Sequence, residues 1–341
     1  MLTALASKLF SRPPSSIRQH TINAVESVRC FLNEIDDHPQ DLLIPRLAAT
    51  KTHLLRPSGK LVRPLIVSLL ARALGVPDEE ARPYALITEL IHAASLLHDD
   101  VIDRADRRRD RATANVLYDN TLAVLAGDGL LAEVTARLAA AGDLATIRAV
   151  SATIQDLVAG EAWQYDLRGE VHDDVQTCIE VAELKTGSLL SLCTWIPAHL
   201  AGLPPEVAEE FGAIGRYTGV SFQLIDDLLD FFAAETGKPQ LGDWQEFKTN
   251  AMTALLVGLH PSGRSPLQRL FRSAERPTVE QCLETLHENF PARVVEQAAS
   301  RLRALAEEYA ALAAQYARRI PDNDPGRTFE QLRRTLIERK T

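Results

Sequence analysis

Apolar residues recur at intervals of three and four along most of the chain from about Ile17 onward. This spacing is typical of helices that bury one face, because a helical turn takes 3.6 residues. Runs of alternating Val, Ile, Thr and aromatic residues, which would indicate strands, are scarce. The pattern therefore predicts a nearly all-α protein.

Clusters of Gly and Pro divide the apolar stripes into segments of ordinary helix length. They lie at residues 56–59, 75–77, 141–143, 202–205, 237–239, 261–263 and 320–321. These intervals predict a bundle of roughly ten or more helices with short connections. The sequence has no repeat of fixed period and no low-complexity linker. We therefore predict a flexible tail over residues 1–15 and a single domain over residues 16–341.

Composition narrows the ligand classes. The 341 residues are 46% hydrophobic, which is ample for a large buried core. A net charge of −9 and a pI near 5.5 argue against a nucleic-acid-binding surface. An anionic ligand would therefore have to be held by a local basic pocket.

Cysteine spacing and apolar run lengths predict the compartment. The four cysteines, Cys30, Cys178, Cys193 and Cys282, form no CxxC pair and indicate free thiols in a reducing compartment. The first sixteen residues lack the pattern of a signal peptide. No run reaches the ~18–20 apolar residues that a transmembrane helix needs. We expect a soluble, cytoplasmic protein without a transmembrane segment.

The first chemistry-bearing motif is an aspartate cluster, Asp99, Asp100 and Asp103, that follows the apolar run of residues 86–97. Asp99 and Asp103 are four residues apart, so on a helix they share one face. A single DDxxD motif is often only an acidic helix end at the surface.

A second cluster, Asp226, Asp227 and Asp230, repeats this spacing inside an even more apolar segment. Three carboxylates in such a setting are costly to desolvate unless a cation compensates their charge. Carboxylate oxygens suit hard cations, and Mg²⁺ usually takes one or two of them together with waters and ligand phosphates. The pair of clusters therefore predicts Mg²⁺ and a phosphate-bearing ligand.

Basic residues recur beside both clusters. Lys60 and Arg63 stand near a predicted helix start, where backbone N–H groups favour anions. Three arginines, at positions 107–109, follow the first cluster, and Lys238 and Lys248 follow the second. Each of these alone could be a solvated surface charge, but together they fit a diphosphate ligand.

Seven segments together resemble, in order and spacing, the all-trans isoprenyl (polyprenyl) diphosphate synthases. They are GKLVRP, LIHAASLLHDDVIDRADRRR, NVLYDNTLAVLAGDGLLA, GEAWQ, ELKTG, FQLIDDLLDF and GKPQLGDWQEFK, between Gly59 and Lys248. The resemblance implies the isoprenoid synthase fold, an all-α bundle around a central cavity. It also implies a homodimer and an Mg²⁺-dependent prenyltransferase that condenses an allylic prenyl diphosphate with isopentenyl diphosphate.

The resemblance assigns roles residue by residue. Asp99, Asp100 and Asp103 would bind two Mg²⁺, and Asp226, Asp227 and Asp230 a third. The allylic diphosphate would be held by Arg108, Lys185, Lys238 and Lys248. Isopentenyl diphosphate would be held by Lys60, Arg63, His92 and Arg109. Thr186 and Gln223, which complete the expected catalytic set with Asp99, Asp103, Asp226 and Lys185, would line the reacting allyl group.

Product length should depend on the residues one turn before the first cluster. Ala94 and Ser95 are small there, and in the family small residues let the growing tail pass. We therefore expect a product of C20 or longer.

Three residues stand where the family has glycine: Asp110, Asp119 and Phe247. The change at 247 leaves open an altered chain length, an unusual co-substrate or reduced activity.

Two other functions remain open. A terpene cyclase of the same fold would need the aspartates but not Lys60, Arg63, His92 and Arg109, and their joint presence favours the synthase. A non-catalytic subunit of a heteromeric prenyl synthase usually lacks some of the aspartates, whereas this chain retains all six.

Overall fold

The computed structural model describes residues 44–55, 61–108, 111–232 and 240–338. Within these ranges, β-structure is confined to one antiparallel pair of two-residue strands, β1 (Arg107–Arg108) and β2 (Arg111–Ala112). Helices and short connections make up the rest, so the prediction of an all-α protein is confirmed. The predicted tail over residues 1–15 lies outside the described residues.

Helices follow one another along the chain with short connections. The first are α1 (Pro45–Leu55), α2 (Val62–Ala73), α3 (Asp78–Ile102), α4 (Ala114–Leu117), α5 (Asn120–Ala141), α6 (Leu144–Asp166) and α7 (Val175–Ala182). A π-helical turn, Glu183–Gly187, then leads directly into α8 (Ser188–Leu200). The others are α9 (Pro205–Phe231), α10 (Gly242–Gln245), α11 (Ala251–Leu259), α12 (Arg264–Phe271), α13 (Val279–Asn289), α14 (Ala292–Ala317) and α15 (Asp324–Ile337), with a 3₁₀ turn at Pro261–Gly263 before α12.

Helix ends coincide with the predicted breakers. Gly142 ends α5 in the left-handed conformation, with φ 67°, which glycine adopts without steric cost. The next residue, Asp143, accepts hydrogen bonds from the backbone N–H groups of Ala145 and Thr146 and so caps the start of α6. Thr278 and Gln281 form a reciprocal capping box at the start of α13.

The described residues fall into two compact units. The first takes in the described residues up to Ile154, with Leu192–Gly212 and Arg318–Leu332. The second takes in Gln155–Ser191, Ala213–Ala317 and the described residues from Arg333 onward. The single domain over residues 16–341 stays a prediction.

In the first unit, α3 packs against α2 and α5. Its buried positions include Ile87, Leu90, Ile91, Ala94 and Leu97, which recur at the spacing of one helix face. Burial of each large aliphatic side chain stabilises the fold by ~1.5–3 kcal/mol. This stripe fixes α3, and the first aspartate cluster follows directly at its C-terminal end.

In the second unit, the C-terminal half of α9 buries a stripe of apolar residues in a core that includes residues of α11 and α14. Trp244 lies at the centre of an aromatic cluster, with its ring centroid 5.5 Å from Phe231 and 6.4 Å from both Phe271 and Phe290. Its indole N–H donates to the hydroxyl of Thr253 at 2.8 Å. The segment around Trp244 is thereby fixed against α9, beside the second aspartate cluster.

Candidate active site

The first aspartate cluster lies at the C-terminal end of α3, in the first unit. Asp99 and Asp100 belong to the last turn, and Asp103 follows the helix as its C-cap. The backbone N–H of Asp103 donates to the carbonyl of Asp99 at 2.8 Å. The four-residue spacing is therefore a helical turn, as the sequence predicts.

Asp100 is buried, whereas an acidic residue at a helix end is usually exposed at the surface. Its side chain is fully buried, and Arg108 of β1 donates from Nε to its Oδ1 at 2.8 Å. Burial raises the pKa of Asp100, and the Arg108 guanidinium opposes this rise. Asp100 thus holds Arg108, which was predicted to bind the allylic diphosphate, against the end of α3.

The remaining predicted residues of the first unit lie on α2 and α3. Arg63 is in the first turn of α2, after Leu61 in the left-handed conformation. His92 lies on α3, and its carbonyl accepts a hydrogen bond from the hydroxyl of Ser95 at 2.9 Å. Ala94 is buried. Lys60, Arg109 and Lys238 lie outside the described residues.

The second aspartate cluster lies in the last turns of α9, in the second unit. Asp227 accepts hydrogen bonds from the side-chain amide of Gln223 and from the backbone N–H of Ala251, both at 3.0 Å. Asp230 accepts from the backbone N–H of Gly242 at 2.8 Å. These two carboxylates therefore bind the segment that runs from α10 to α11.

Asp243 joins this cluster, although sequence reasoning gave it no role. Burial, followed by repulsion from Asp243, raises the pKa of Asp227 to about 7 and also raises the pKa of Asp230. Burial raises the pKa of Asp243 itself to about 6, although the Lys248 ammonium opposes the rise. Asp227 is buried, and Asp230 and Asp243 are partly buried. The three carboxylates repel one another and form a local excess of negative charge, which a cation would relieve.

A cavity of about 190 Å³, lined by both polar and apolar side chains, lies within the second unit. Its lining includes Lys185, Thr186, Gln223 and Lys248, four of the residues predicted from separate motifs. The hydroxyl of Thr186 donates to the side-chain carbonyl of Gln223 at 3.1 Å, and the amide of Gln223 donates to Asp227. Residues of the π-helical turn and of the second aspartate cluster thus line the same cavity.

Both lysines of the cavity have acidic or amide partners that the sequence reasoning did not assign. Lys185 forms an ion pair with Glu161 of α6 and donates to the side-chain carbonyl of Gln164 at 2.6 Å. Lys248 pairs with Glu246 at 2.9 Å. The motif GEAWQ contained Glu161 and Gln164, but nothing in its spacing indicated which residue they contact.

Gly160 of α6 and Gly219 of α9 approach the π-helical turn closely from two sides. A Cβ on Gly160 of α6 would lie 2.8 Å from side-chain carbons of Leu184 and Lys185. A Cβ on Gly219 of α9 would lie 2.7 Å from the Cα of Gly187. The π-turn that presents Lys185 and Thr186 is therefore held between two helices at backbone distance, a placement frequent for π-turns at functional sites.

Two of the departures from the family pattern coincide with unusual backbone. Phe247 has φ 59° and Asp119 has φ 154°, where side chains are disfavoured and glycine is not. A left-handed conformation costs a non-glycine residue roughly 1–2 kcal/mol. At both positions the backbone thus has a positive φ that glycine adopts more readily than other residues. The third departure, Asp110, lies outside the described residues.

The carboxylates of the site would hold a metal ion only together with oxygen atoms from a bound ligand. Among the described residues, no three His, Cys, Asp or Glu side chains are placed to hold a metal ion by themselves. Mg²⁺, however, commonly takes one or two protein carboxylates and completes its shell with waters and phosphate oxygens. The carboxylate oxygens of the second cluster suit that role.

Comparison with known protein families identifies the chain. A family model described as polyprenyl synthetase matches residues 44–286. The chain belongs to the polyprenyl synthetase family. The resemblance predicted from the motifs is therefore confirmed.

Similar proteins agree with this family. The chain is 36% identical over 277 residues to a prenyl transferase of Synechocystis, covering 80% of this chain and 83% of the relative. It is 32% identical over 316 residues to solanesyl diphosphate synthase 3 of Arabidopsis thaliana, covering 86% and 72% respectively. The crystal structure of a decaprenyl diphosphate synthase from Rhodobacter capsulatus superposes with a TM-score of 0.82 at 24% identity over 100% of both chains, a likeness of fold.

Membership of the polyprenyl synthetase family fixes the reaction class. The protein is a transferase of prenyl groups, and all-trans products of C15 or longer are supported. The family is generally metal-dependent and uses prenyl diphosphate substrates. Across the described residues, no helix has both the length and the apolar character needed to cross a bilayer.

Proposed function

We propose that this polyprenyl synthetase condenses an allylic prenyl diphosphate with isopentenyl diphosphate and makes an all-trans product of C20 or longer. One observation carries the proposal. Lys185, Thr186, Gln223 and Lys248 come from three separate motifs, and all four line one cavity together with Asp227 and Asp243. Two ammonium groups in a cavity of this kind suit a diphosphate, which is a doubly charged or more highly charged anion.

The diphosphate is a poor leaving group until its developing negative charge is neutralised. Lys185 and Lys248 would bind its oxygens as fixed cations, together with Arg108 and Lys238, and such preorganised charge stabilises the transition state by several kcal/mol. The ion pairs with Glu161 and Glu246 hold the two ammonium groups in place before substrate arrives.

Mg²⁺, bound by Asp99, Asp103 and Asp226 with Asp100, Asp227 and Asp230 in support, would supply further neutralising charge; we propose three ions per active site. Cleavage of the carbon–oxygen bond leaves an allylic cation and free diphosphate. The double bond of isopentenyl diphosphate then attacks the cation, and a proton is lost to the departing diphosphate. Thr186 and Gln223, already hydrogen-bonded to each other, would line the allyl group.

The second substrate would be held by Lys60, Arg63, His92 and Arg109. Arg63 and His92 lie on α2 and α3, two helices that pack together in the first unit. A terpene cyclase would have no use for this basic set, and a non-catalytic subunit would not need the aspartates. The synthase is therefore the function that accounts for the most residues.

A primer series separates these functions. Purified protein with Mg²⁺, isopentenyl diphosphate and allylic primers from C5 to C20 should release diphosphate and give longer prenyl products. Product from a primer alone would instead indicate a cyclase. No turnover with any primer would favour the subunit role.

Product length gives a specific prediction at Ala94. Replacement by Phe or Tyr should shorten the product, because a ring one turn before Asp99 would occupy the path of the growing tail. Chromatography of the extracted products measures this directly. Ser95→Phe, at a partly exposed position, provides a second variant if Ala94→Phe does not fold. Unchanged products from both variants would remove these positions from chain-length control.

We also propose that the protein acts in the cytoplasm as a homodimer. Four apolar side chains of the first unit, Val116, Leu117, Val124 and Leu125, are between 39% and 53% exposed on α4 and α5. A second copy of the chain would cover such a surface. Sedimentation of the purified protein as a monomer at micromolar concentration would contradict this.

A further inference from the structure

Phe247 combines a strained backbone with a position directly before three residues of the cavity wall. It has φ 59°, and it lies between Glu246 and Lys248, which form an ion pair. The three residues that follow it, Lys248, Thr249 and Asn250, all line the cavity. The conformation at residue 247 therefore sets the direction in which the chain enters the cavity wall.

A ring contact and two backbone hydrogen bonds hold Phe247 in this conformation. Its backbone N–H donates to the carbonyl of Trp244 at 3.0 Å. Its ring packs edge-on against Phe271 of α12, with centroids 6.5 Å apart at 78°. Its carbonyl accepts a hydrogen bond from the backbone N–H of Gly169 at 2.9 Å. Gly169 is in turn fixed to α12, because the side-chain amide of Gln268 donates to its carbonyl at 2.6 Å. Ring and backbone of Phe247 are thus both anchored, directly or through Gly169, to α12.

A bulky side chain at positive φ persists only where the surrounding contacts over-determine the backbone. The hydrogen bonds from Phe247 to Trp244 and from Lys248 to Asp243 end α10 in a turn that requires positive φ at residue 247. Without its ring contact, a non-glycine residue there would hold this turn less firmly, because it bears the steric cost of positive φ. Lys248 is the residue most affected. Its backbone N–H donates to the carbonyl of Asp243 at 2.8 Å, and its side chain is only 10% exposed.

We propose that Phe247 is a positioning residue that acts through Lys248. Its ring, docked on Phe271, stabilises the left-handed turn, together with the backbone hydrogen bonds, and this turn directs the Lys248 ammonium into the cavity for the allylic diphosphate. The inference rests on the proposed function of Lys248. It makes Phe247 a part of the substrate-binding apparatus of this chain, even though its ring contacts the core.

The ring and the backbone conformation can be separated by mutation. Phe247→Ala removes the ring and keeps the steric cost of positive φ. Phe247→Gly removes the ring but permits the φ observed. Phe247→Tyr keeps the ring and serves as the conservative control. We expect kcat/KM for the allylic primer to fall about tenfold in Phe247→Ala, which corresponds to about 1.4 kcal/mol. It should stay near wild type in Phe247→Tyr, and also in Phe247→Gly, because glycine adopts the left-handed conformation without the ring.

A double-mutant cycle with Lys248→Ala distinguishes positioning from a general loss of stability. If Phe247 acts through Lys248, adding Phe247→Ala to the Lys248→Ala variant should cause no further loss of kcat/KM for the allylic primer. In both backgrounds, Phe247→Ala should change KM for isopentenyl diphosphate by no more than about twofold. An additive loss, or full activity of Phe247→Ala, would overturn the inference and leave the proposed function intact, and so would a loss in Phe247→Gly as large as that in Phe247→Ala. Full activity of Lys248→Ala, or no turnover by the wild type, would instead refute the function on which the inference rests.

Discussion

Replacement of Asp226 by alanine is expected to lower kcat by about 10³-fold or more without unfolding the protein. Metal-assisted charge neutralisation contributes several kcal/mol to such a reaction, and each 1.36 kcal/mol is a factor of ten in rate. Asp226 is partly exposed, whereas its neighbour Asp227 is buried and hydrogen-bonded to Ala251. Loss of the Asp226 carboxylate should therefore affect turnover far more than stability. Steady-state diphosphate release measures the effect, and Asp99→Ala should behave in the same way.

The matched control for this prediction is Asp322→Ala. The Asp322 side chain is 88% exposed and forms an ion pair with Arg327, which is itself exposed. Its loss should leave kcat within about twofold of wild type, because exposed ion pairs contribute little. An Asp226→Ala variant that keeps more than a tenth of wild-type kcat would contradict the assigned role of the second cluster.

Gly219→Ala is expected to lower the free energy of unfolding by ~1–3 kcal/mol, the usual cost of overpacking, and to reduce turnover as well. The added Cβ would lie 2.7 Å from the Cα of Gly187 and 2.9 Å from the carbonyl oxygen of Thr186. Both are backbone atoms, which cannot move aside as a side chain can. The π-turn would have to shift, and the hydrogen bond between Thr186 and Gln223 would shift with it. Denaturant unfolding and kcat/KM measure the two effects.

Gly258→Ala provides the control at another helical glycine. A Cβ there would come no closer than 3.7 Å to Asp173, which is an ordinary contact. Alanine is a better helix former than glycine by about 1 kcal/mol, so this variant should be as stable as wild type or more stable. Equal stability and activity of the Gly219 and Gly258 variants would show that the approach of α9 to the π-turn is unimportant.

Periodicity predicted the helices that carry the aspartate clusters because their buried stripes are long and regular. Ile87, Leu90, Ile91 and Leu97 on α3 repeat at helical spacing, and Asp99 follows at the end of the stripe. Within one helix, sequence spacing gives side-chain direction, so the shared face of Asp99 and Asp103 follows from their four-residue separation alone.

Contacts between separate segments could not be predicted in this way. Glu161 pairs with Lys185 and Asp243 repels Asp227, although 24 and 16 residues respectively separate the partners along the chain. No local pattern encodes such distances. The π-helical turn was also missed, because no local sequence pattern marks it, and the close approach of Gly160 and Gly219 to it joins segments that are distant along the chain.

Binding of inorganic pyrophosphate is the most direct test of the claim that both aspartate clusters act through divalent ions on one diphosphate. Calorimetric titration should give binding by the wild type with Mg²⁺ present and at least about tenfold weaker binding with chelator. Asp99→Ala and Asp226→Ala should each weaken the Mg²⁺-dependent binding to a similar extent. Binding that is independent of Mg²⁺, or that survives the loss of either cluster unchanged, would contradict the claim.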